Sequence, residues 1–401
     1  MSKIEQLIQE LCPGGVEYSK LRDIGKVCMC KRIMKEQTSS SGDVPFYKIG
    51  TFGGNADAFI SQDLFDTYKG KYSYPQKGDV LISAAGTIGR TIVFDGEPAY
   101  FQDSNIVWLK HDGSKVLNSY LRYCYSLNPW AVSTGGTVAR LYNDNILNAI
   151  IPLPPLPIQQ EIVRILDTFT EAQANLEQEL ELRKKQYEYY RNQLLTFDEN
   201  DPSVKWIRLE DVVGKKGYIR GPFGSALKRG EMKPSGIPVY EQQHAIYDNR
   251  IFRFYIDKEK YGKLERFTVK PNDLIISCSG TVGEVSIIKE NDEIGIISQA
   301  LLILRPDVNL ILSEFLRHYL KTERGRNSLL EGAAGSAQIN LAKRETVINM
   351  QLPLLSINDQ KKIITIIEQF ESAIQTLEEE LALRKKQYEY YREKLLTFKS
   401  N

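Results

Sequence analysis

The sequence predicts an α/β (α+β) fold with a two-fold internal repeat, in which each copy joins a globular domain to a long helix. Three observations lead to this prediction. The nonapeptide RKKQYEYYR occupies residues 183–191 and again residues 384–392, a displacement of 384 − 183 = 201 residues. Weaker matches between the two halves follow in the same order along the chain. Each copy starts with short β-like runs and ends in a stretch of helical periodicity.

The matches that define the repeat extend over nearly the whole chain. They pair VEYSKLRDI (16–24) with VKWIRLEDV (204–212), VPFY (44–47) with IPVY (237–240), DVLISAAGTIG (79–89) with DLIISCSGTVG (273–283), YLRYCY (120–125) with FLRHYL (315–320), and IPLPPLPIQQEI (151–162) with MQLPLLSINDQKKI (350–363). Short apolar runs such as VLIS alternate with turns rich in Gly, Pro, Ser and Asn. We therefore expect a compact α/β domain at the start of each copy.

A short amphipathic helix is expected at the N-terminus. Its apolar positions are Ile4, Leu7, Ile8 and Leu11, at the three- and four-residue spacing of a single helix face. The stretch has neither the basic n-region nor the apolar h-region of a secretion signal.

Proline-rich hinges at 152–157 and 352–355 end the globular parts. We predict globular domains over residues 1–155 and 201–355, and long helices over residues 156–200 and 356–401. The apolar positions of the two helices recur mostly every three or four residues: Ile162, Ile165, Phe169, Ala172, Leu176, Leu180, Tyr187, Tyr190, Leu194 and Phe197, then Ile363, Ile366, Phe370, Ala373, Leu377, Leu381, Tyr388, Tyr391, Leu395 and Phe398. About 36 helical residues would extend roughly 54 Å. Because such a helix cannot bury its stripe alone, the two helices are expected to pack on each other as a coiled coil.

Composition and charge place the chain among ordinary soluble proteins. It is 42% hydrophobic and 26% charged, with a net charge of +1. The helical segments carry −4 (156–200) and 0 (357–401), so the remainder carries +1 − (−4) − 0 = +5, which permits a polyanionic partner. The five cysteines lie at 12, 28, 30, 124 and 278, an odd and scattered set that fits a reducing cytoplasm better than a disulfide framework. No apolar run approaches the roughly 20 residues of a membrane span.

Catalytic motifs are not found in the sequence. None of the Gly-Lys pairs continues as a phosphate-binding GK[ST] loop, and the three histidines lie far apart without a triad or zinc-binding context. Asn128-Pro129-Trp130 is one proline short of the motif that DNA amino-methyltransferases share. We therefore expect a chain without catalytic or metal-binding residues.

The loops GTIG (86–89) and GTVG (280–283) allow two interpretations. Glycine-rich turns between apolar strands are most often simple hairpins. Both loops also follow a serine, Ser83 or Ser277, and both keep a threonine. Backbone N–H groups and hydroxyl groups in such a turn could hold a phosphate.

Several of these segments together resemble a known family. They are the Val-x-Trp/Tyr-x-x-Leu-x-Asp opening of each domain, the LISxxGTxG segment, GPFGSALK (221–228) followed by GIPVY (236–240), and the P-L-P-P-L…Q-x-x-I hinge into a long helix. The chain resembles the specificity (S) subunits of type I restriction-modification systems. The resemblance spans essentially all 401 residues.

The resemblance implies a non-catalytic protein with two target-recognition domains separated by two antiparallel coiled-coil helices. Each domain would read one half of a bipartite, asymmetric site in double-stranded DNA. The helices would set the spacer between the half-sites and dock two modification subunits, which are adenine methyltransferases. Two motor-nuclease restriction subunits complete such complexes. S-adenosylmethionine and ATP with Mg²⁺ would bind those partners, so no cofactor is expected on this chain.

Candidate DNA contacts follow from the chemistry of readout. Arg, Lys, Asn and Gln read base edges, whereas Lys, Arg, Ser and Thr bind phosphates. The candidates in the first domain are Lys48, Lys71, Ser83, Thr87, Arg90 and Arg140; those in the second are Arg220, Lys228, Arg229, Gln242, Gln243, Ser277, Thr281 and Gln338.

The repeated nonapeptide is the candidate docking site. Tyr187 and Tyr190, with their counterparts Tyr388 and Tyr391, are expected to continue the coiled-coil seam. The other tyrosine and the flanking arginines face elsewhere, and Tyr and Arg are favoured at protein interfaces. The predicted docking residues are Arg183, Tyr189, Arg191, Arg384, Tyr390 and Arg392.

Two alternatives remain open on the sequence alone. The near-neutral charge is also compatible with a two-headed adaptor or scaffold that binds protein or carbohydrate ligands. A recent duplication of the helix would keep the nonapeptide identical without any shared partner. The two heads differ in sequence, whereas the two helices hardly differ. This contrast favours the DNA-reading subunit, since dissimilar surfaces bind different targets and identical surfaces bind one target twice.

Overall fold

The computed structural model describes residues 2–131, 140–202, 204–223, 226–331 and 340–398. It divides into two compact units. Unit 1 comprises residues 1–177 and 379–401, and unit 2 comprises residues 178–378. Each unit holds one globular head and portions of both long helices. We call residues 3–152 head 1 and residues 205–354 head 2.

Head 1 and the helix that follows it contain short strands and five helices within the described ranges. In chain order they are α1 (Lys3–Leu11), β1 (Tyr18–Lys20), β2 (Lys26–Met29), β3 (Val44–Tyr47), β4 (Phe59–Ile60), α2 (Gln62–Lys71), β5 (Val80–Ser83), β6 (Thr91–Val93), β7 (Tyr100–Phe101), β8 (Ile106–Lys110), α3 (Asn118–Ser126), α4 (Asn143–Leu147), β9 (Ile150–Pro152) and α5 (Leu156–Leu195).

Head 2 repeats this order with a few additions. Its elements are β10 (Lys205–Arg208), α6 (Leu209–Val213), β11 (Tyr218–Arg220), β12 (Ile237–Tyr240), α7 (Gln242–Ile246), β13 (Tyr255–Ile256), α8 (Lys258–Leu264), β14 (Leu274–Ser277), β15 (Val285–Ile287), β16 (Ile296–Ile297), β17 (Leu301–Leu304), α9 (Ser313–Leu320), α10 (Glu323–Leu329), β18 (Leu330–Glu331), β19 (Asn340–Leu341), α11 (Arg344–Ile348) and β20 (Gln351–Leu354), followed by α12 (Ile357–Leu396).

The sheet topology is the same in both heads. An antiparallel four-stranded sheet has the order β2-β8-β5-β6 in head 1 and β11-β17-β14-β15 in head 2. A three-stranded sheet has the order β4-β3-β7 or β13-β12-β16, with β3–β7 and β12–β16 parallel. The pairs β1–β9 and β10–β20 join the start of each head to its end.

Both faces of the four-stranded sheet are buried, which explains the unbroken apolar run VLIS. Val80 and Ile82 face a core that includes the first turns of α5, whereas Leu81 faces the core formed with the three-stranded sheet. In head 2, Leu274 and Ile276 likewise face one core and Ile275 the other. Alternate residues of a strand point to opposite faces, so two cores require apolar residues at every position.

The two long helices run antiparallel within each unit. In unit 1 the ring of Phe169 on α5 stacks on Tyr391 of α12, with centroids 5.2 Å apart, and Glu177 pairs with Lys385 at 2.7 Å. In unit 2 the ring of Tyr190 stacks on Phe370 at 5.5 Å, and Lys184 pairs with Glu378. Rising residue numbers on one helix meet falling numbers on the other.

A buried glutamine fastens each long helix to its own head. Gln159, in the first turn of α5, is 0% exposed; its Oε1 accepts from the Leu117 N–H at 3.0 Å, and its Nε2 donates to the Lys115 and Pro154 carbonyls at 2.8 Å. Gln360, also 0% exposed, makes the same three bonds in unit 2. Its partners are the Leu312 N–H (2.8 Å) and the Leu310 and Leu355 carbonyls (3.0 Å each). Gln159 and Gln360 are the glutamines of the Q-x-x-I hinge motif. The motif contains a glutamine at this position because its amide bonds the backbone groups that attach the helix to the head.

The predicted fold class is confirmed, and details of the helices differ from the sequence pattern. The predicted N-terminal helix is α1, begun by a capping box between Ser2 and Glu5, and it buries Ile4. Ile366, predicted on the seam, is 40% exposed, while Ile364 and Ile367 are buried. The cause is that this end of α12 packs against head 2 as well as α5, which rotates the buried face. The domain boundaries at 155, 200 and 355 stay predictions.

Two further features of the fold are its lack of an apolar spanning helix in the described residues and the state of its cysteines. Within the described ranges, no helix is both long and apolar enough to span a membrane. All five cysteines are free thiols, and four of them are buried. Burial raises the pKa of Cys30 and Cys124 to about 12, so neither is an available thiolate at neutral pH.

Candidate nucleic-acid interface

The two GTxG loops have the same internal geometry. Ser83 Oγ donates to the Thr87 carbonyl at 2.5 Å and accepts from the Arg90 N–H at 2.9 Å. Ser277 Oγ donates to the Thr281 carbonyl at 2.6 Å and accepts from the next N–H after the loop, that of Glu284, at 3.0 Å. The first and last glycines of each loop have positive φ, between 64° and 87°, which favours glycine there.

This geometry separates the candidate loop residues into two groups. Ser83 and Ser277 are 1% and 0% exposed, and their hydroxyl groups are occupied inside the loop. Thr87 and Thr281 are exposed at the loop tips. The serines shape the turn, and the threonines are the residues that a ligand could reach. All four stay predictions as DNA contacts.

Head 1 has an open cleft of about 720 Å³ beside the ends of β3 and β7. It brings together two candidates that are distant in sequence, Lys48 and Arg140, with Arg32 and Lys35. Lys48 pairs with Asp57 at 2.8 Å. The Arg140 guanidinium donates from Nη2 to the Ser104 carbonyl at 3.0 Å and to Asn105 Oδ1 at 3.3 Å. The cleft therefore holds four cations among hydroxyl, amide and apolar side chains, and Arg32 pairs with a second aspartate, Asp103, at 2.9 Å.

Head 2 has a cleft of about 500 Å³ beside the ends of the matching strands β12 and β16, and this cleft also reaches the GTVG loop. Its lining includes Gln242, Gln243 and Thr281. Ser279 Oγ donates to Gln242 Oε1 at 3.0 Å, and Gln243 Nε2 donates to the Ile251 carbonyl at 3.2 Å. One cation, Arg253, lines this cleft and is paired with Glu241 at 2.8 Å. Amides and hydroxyl groups, rather than cations, dominate here.

The remaining candidates lie outside these two clefts. Lys71 ends α2, with its ammonium 5.6 Å from the Tyr72 ring centroid. Arg90 donates to the Gly53 carbonyl at 3.2 Å. The guanidinium of Arg220 lies 6.0 Å from the Phe223 ring, and that of Arg229 lies 5.9 Å from the Phe254 ring. Lys228 is exposed, and Gln338 lies outside the described residues.

The sequence pattern missed several residues of the clefts. Arg32, Lys35 and Asn105 line the first, and Ser279 and Tyr247 line the second. Only Ser279 carried a usable signal, because it stands inside the repeated loop segment. The others come from segments that do not match between the two copies.

The long helices present an exposed face of the same composition in each unit. Tyr189 is 63% exposed and Tyr390 is 59% exposed. Seven residues earlier on each helix, Leu182 is 57% exposed and Leu383 is 61% exposed. Residues i and i+7 lie on one face of a helix two turns apart, so each unit displays a leucine and a tyrosine on the same exposed face. We call Leu182 with Tyr189, and Leu383 with Tyr390, the Leu-Tyr faces.

The other tyrosines of the nonapeptide pack inward. Tyr187 is partly buried and donates its hydroxyl hydrogen to Glu371 Oε1 at 2.7 Å; burial, and then this carboxylate, raise the pKa of Tyr187 to about 12. Tyr388 packs against the core of unit 1. Tyr190 and Tyr391 stack on the partner helix, although they remain 40% and 39% exposed. The seam assignment of these tyrosines agrees with these contacts.

The candidate arginines of the docking site are partly engaged by their own helices. Arg183 pairs with Glu179 at 3.6 Å, and Arg384 pairs with Glu380 at 3.3 Å. Arg191 lies over the Tyr187 ring at 5.2 Å, and Arg392 lies over the Tyr388 ring at 5.4 Å.

Leu182 and Leu383 were not predicted as docking residues from the sequence. The repeat LRKKQYEYYR includes both leucines, and each stands seven residues before the exposed tyrosine of its helix.

We find no candidate metal site in the part of the chain that the structure describes. No group of three or more His, Cys, Asp or Glu side chains there is placed to hold one. The three histidines remain separate: His244 and His318 are buried in head 2, and burial lowers the pKa of His318 to about 3.

Duplicated heads of one topology, dissimilar clefts and a repeated pair of antiparallel helices together define a two-headed recognition protein. The family model of the type I restriction modification DNA specificity domain matches residues 13–183 and 208–383, so the chain belongs to the type I restriction-modification specificity subunits. The prediction of a specificity subunit, a non-catalytic component, is thereby confirmed.

Individual relatives agree with this family. The chain is 57% identical over 182 residues to a putative type I restriction enzyme specificity subunit of Haemophilus influenzae. This aligned region covers 44% of this chain and 47% of that protein. It is 28% identical over 302 residues to a type I restriction enzyme specificity subunit of Escherichia coli, covering 72% of each. A putative type I specificity subunit of Mycoplasma pneumoniae is 25% identical over 389 residues, covering 95% of this chain and 98% of that one. The chain thus aligns with just under half of the Haemophilus protein and with nearly all of the Mycoplasma protein.

Solved structures share the fold at low sequence identity. A chain from work on complex assembly and conformational transition of the type I R-M system superposes with a TM-score of 0.64 at 15% identity, covering 96% of this chain and 98% of that chain. The S subunit of a type I restriction-modification system from M. genitalium superposes with a TM-score of 0.52 at 15% identity, covering 95% and 96%.

Proposed function

We propose that each head of this specificity subunit reads one half of a bipartite, asymmetric site in double-stranded DNA. The two helices set the spacer between the half-sites and dock two modification (adenine methyltransferase) subunits. S-adenosylmethionine bound by those subunits, and ATP with Mg²⁺ bound by two restriction subunits, supply the chemistry. This chain supplies the choice of sequence and holds no cofactor. A cytoplasmic location follows from this role.

The observation that carries the proposal is the contrast between the heads and the helices. The two clefts lie beside the ends of matching strands but differ in chemistry, with four cations, among them Lys48 and Arg140, in head 1 and a single cation beside Gln242 and Gln243 in head 2. The Leu-Tyr faces, by contrast, are the same in both units. Two unlike half-sites require unlike readers, whereas two copies of one protein partner require like surfaces.

The clefts fit the chemistry of a DNA duplex. Cations in the head 1 cleft can neutralise phosphates, and the amides of both clefts can pair with base edges. A net charge of only +1 does not oppose this, because the modification subunits can contribute positive charge to the assembled complex. DNA binding is therefore tested on the assembled complex.

An exchange of heads tests the assignment of one half-site to each head. Residues 1–150 are replaced by the corresponding head of another specificity subunit, and methylated adenines are mapped across a genome with and without this chain. We expect one half of the methylated sequence to change while the other half and the spacer stay the same. A change in both halves, or in neither, would contradict modular reading.

The docking faces are tested by a paired truncation. Tyr189→Ala with Tyr390→Ala should weaken assembly with the modification subunits, because exposed tyrosines at interfaces contribute about 2 kcal/mol or more each when they are central. Adding Leu182→Ala and Leu383→Ala should weaken it further. The isolated chain should keep its circular dichroism spectrum and melting temperature, since these side chains are more than half exposed.

The matched control for the docking test uses the neighbouring exposed carboxylates. Glu188→Ala with Glu389→Ala changes the adjacent position of the same helices and should alter assembly only slightly, as for charges outside an interface centre. Undiminished assembly of the quadruple variant, measured by size-exclusion chromatography with light scattering, would remove the Leu-Tyr faces from the proposal.

Salt dependence separates DNA reading from the adaptor alternative. Binding through phosphates should weaken steeply between about 50 mM and 200 mM salt, because bound counterions are released. Affinity of the assembled complex that ignores salt and never prefers one duplex sequence would favour a scaffold for protein or carbohydrate ligands.

A further inference from the structure

We propose that Gln242 recognises an adenine in the half-site read by head 2. The inference rests on the proposed function and assigns the base that one residue of this cleft selects. It uses the position of the amide, the chemistry of the adenine edge and the residue at the matching position of head 1.

The amide of Gln242 is anchored at its oxygen and lies beside the GTVG loop. Gln242 is the first residue of α7, and its Oε1 accepts a hydrogen bond from Ser279 Oγ at 3.0 Å. On the other side it lies against the GTVG loop, where a methyl group added at Gly280 would be 3.4 Å from Gln242 Nε2. Gly280 has φ +64°, so a side chain at that position is disfavoured by the backbone as well. The hydrogen bond from Ser279 therefore restrains the amide oxygen, and the glycine leaves room for the amide nitrogen beside the loop.

The groups that remain available on this amide match adenine. Oε1 keeps a second lone pair beyond the bond from Ser279, and Nε2 carries two hydrogens. In the major groove adenine presents the N6 amino donor beside the N7 acceptor, and a glutamine amide can pair with both at once. Gln243, one residue on, uses its Nε2 to donate to the Ile251 carbonyl and is less free for such a pair.

The same structural position in head 1 is apolar. Ile49 lies beside the first glycine of the GTIG loop, and a methyl group added at Gly86 would be 3.4 Å from Ile49 Cγ1. Ile49 and Gln242 both stand two residues after the matching strands β3 and β12. One position of the repeat thus presents a hydrocarbon in head 1 and a hydrogen-bonding amide in head 2. A position that differs in chemistry between the heads, beside a loop that both heads share, is where the two heads can choose different bases.

The test uses the complex assembled with its modification subunits and a library of duplexes randomised at each base pair of the head 2 half-site. Methylation rates give the discrimination at each position. Gln242→Leu should reduce discrimination about 5- to 150-fold at one A·T pair and leave the other positions unchanged. Gln242→Glu should move the preference at that pair towards cytosine, whose N4 amino group donates to a carboxylate.

The matched control is Gln62→Leu, a glutamine at the first position of α2 in head 1. It should leave discrimination throughout the head 2 half-site as in the wild type. The proposal is overturned by a head 2 half-site without adenine, by unchanged discrimination in Gln242→Leu, or by a uniform loss across all sequences. Failure of the proposed function looks different, because the wild-type complex would then show no sequence preference at all.

Discussion

Replacing the buried hinge glutamine gives a sharp test of how each long helix is attached to its head. In Gln159→Leu the side chain keeps a similar volume, so the change leaves little cavity. It leaves three backbone groups without their partner: the Leu117 N–H and the carbonyls of Lys115 and Pro154. A buried polar group left unpaired costs about 1–3 kcal/mol. Because a carbonyl is more easily satisfied elsewhere than an N–H, we expect a total near the lower limit, about 3 kcal/mol.

The neighbouring residue is a built-in control. Gln160 is exposed, so Gln160→Leu should change the free energy of unfolding by no more than about 0.5 kcal/mol. Because two units need not unfold together, hydrogen exchange read by mass spectrometry is the appropriate assay. Gln159→Leu should lower protection around residues 115–117 and the first turn of α5, and Gln360→Leu should do so around residues 310–312 and the first turn of α12. Equal protection in Gln159→Leu and Gln160→Leu would refute the reasoning.

Three further predictions concern the heads. His318→Asn should flatten the pH dependence of stability. In the wild type the pKa of His318 is lowered to about 3, so only the unfolded state takes up a proton as pH falls from about 6.5. The free energy of unfolding of the wild type therefore drops by up to about 1.4 kcal/mol per pH unit towards pH 3. Chemical denaturation of wild type and variant between pH 7 and 4 measures this, and parallel curves would contradict it. Lys35→Gln should reduce the slope of log affinity for DNA against log salt by about 1 in the assembled complex; an unchanged slope would take Lys35 out of the phosphate contacts. Ser277→Ala should cost about 1–2 kcal/mol, because the Thr281 carbonyl and the Glu284 N–H lose their shared hydroxyl; a melting temperature equal to that of wild type would show that water replaces it.

Most of the architecture could be predicted from the sequence because its signals are periodic or repeated. The heptad-like spacing of Leu176, Leu180 and Tyr187 predicted α5 without knowledge of any contact. Ile366 shows the limit of that pattern: periodicity indicates a face but not what covers it. Near its head a helix packs against two neighbours, and the buried face shifts towards Ile364 and Ile367.

The candidate site could be predicted only in part. Gln242, Gln243 and Thr281 were chosen from the repeated segments or beside them, and the fold brings them into one cleft. Ser83 and Ser277 were chosen from the same segments, yet their hydroxyl groups are spent inside the loop. A motif indicates which residues belong to a turn, whereas the direction of each side chain depends on the hydrogen bonds that close the turn.

The sequence by itself determined the duplication, the α/β heads, the long helices and, through its motifs, the family. These properties are one-dimensional, since the identity of RKKQYEYYR at 183–191 and 384–392 needs no coordinates to be seen. Only the tertiary structure decided that Lys48 and Arg140 share a cleft, and that Leu182 remains exposed on the same helix face as Tyr189. The physical reason is that these relations depend on contacts between segments far apart in the chain, and on which helix face the partner helix covers.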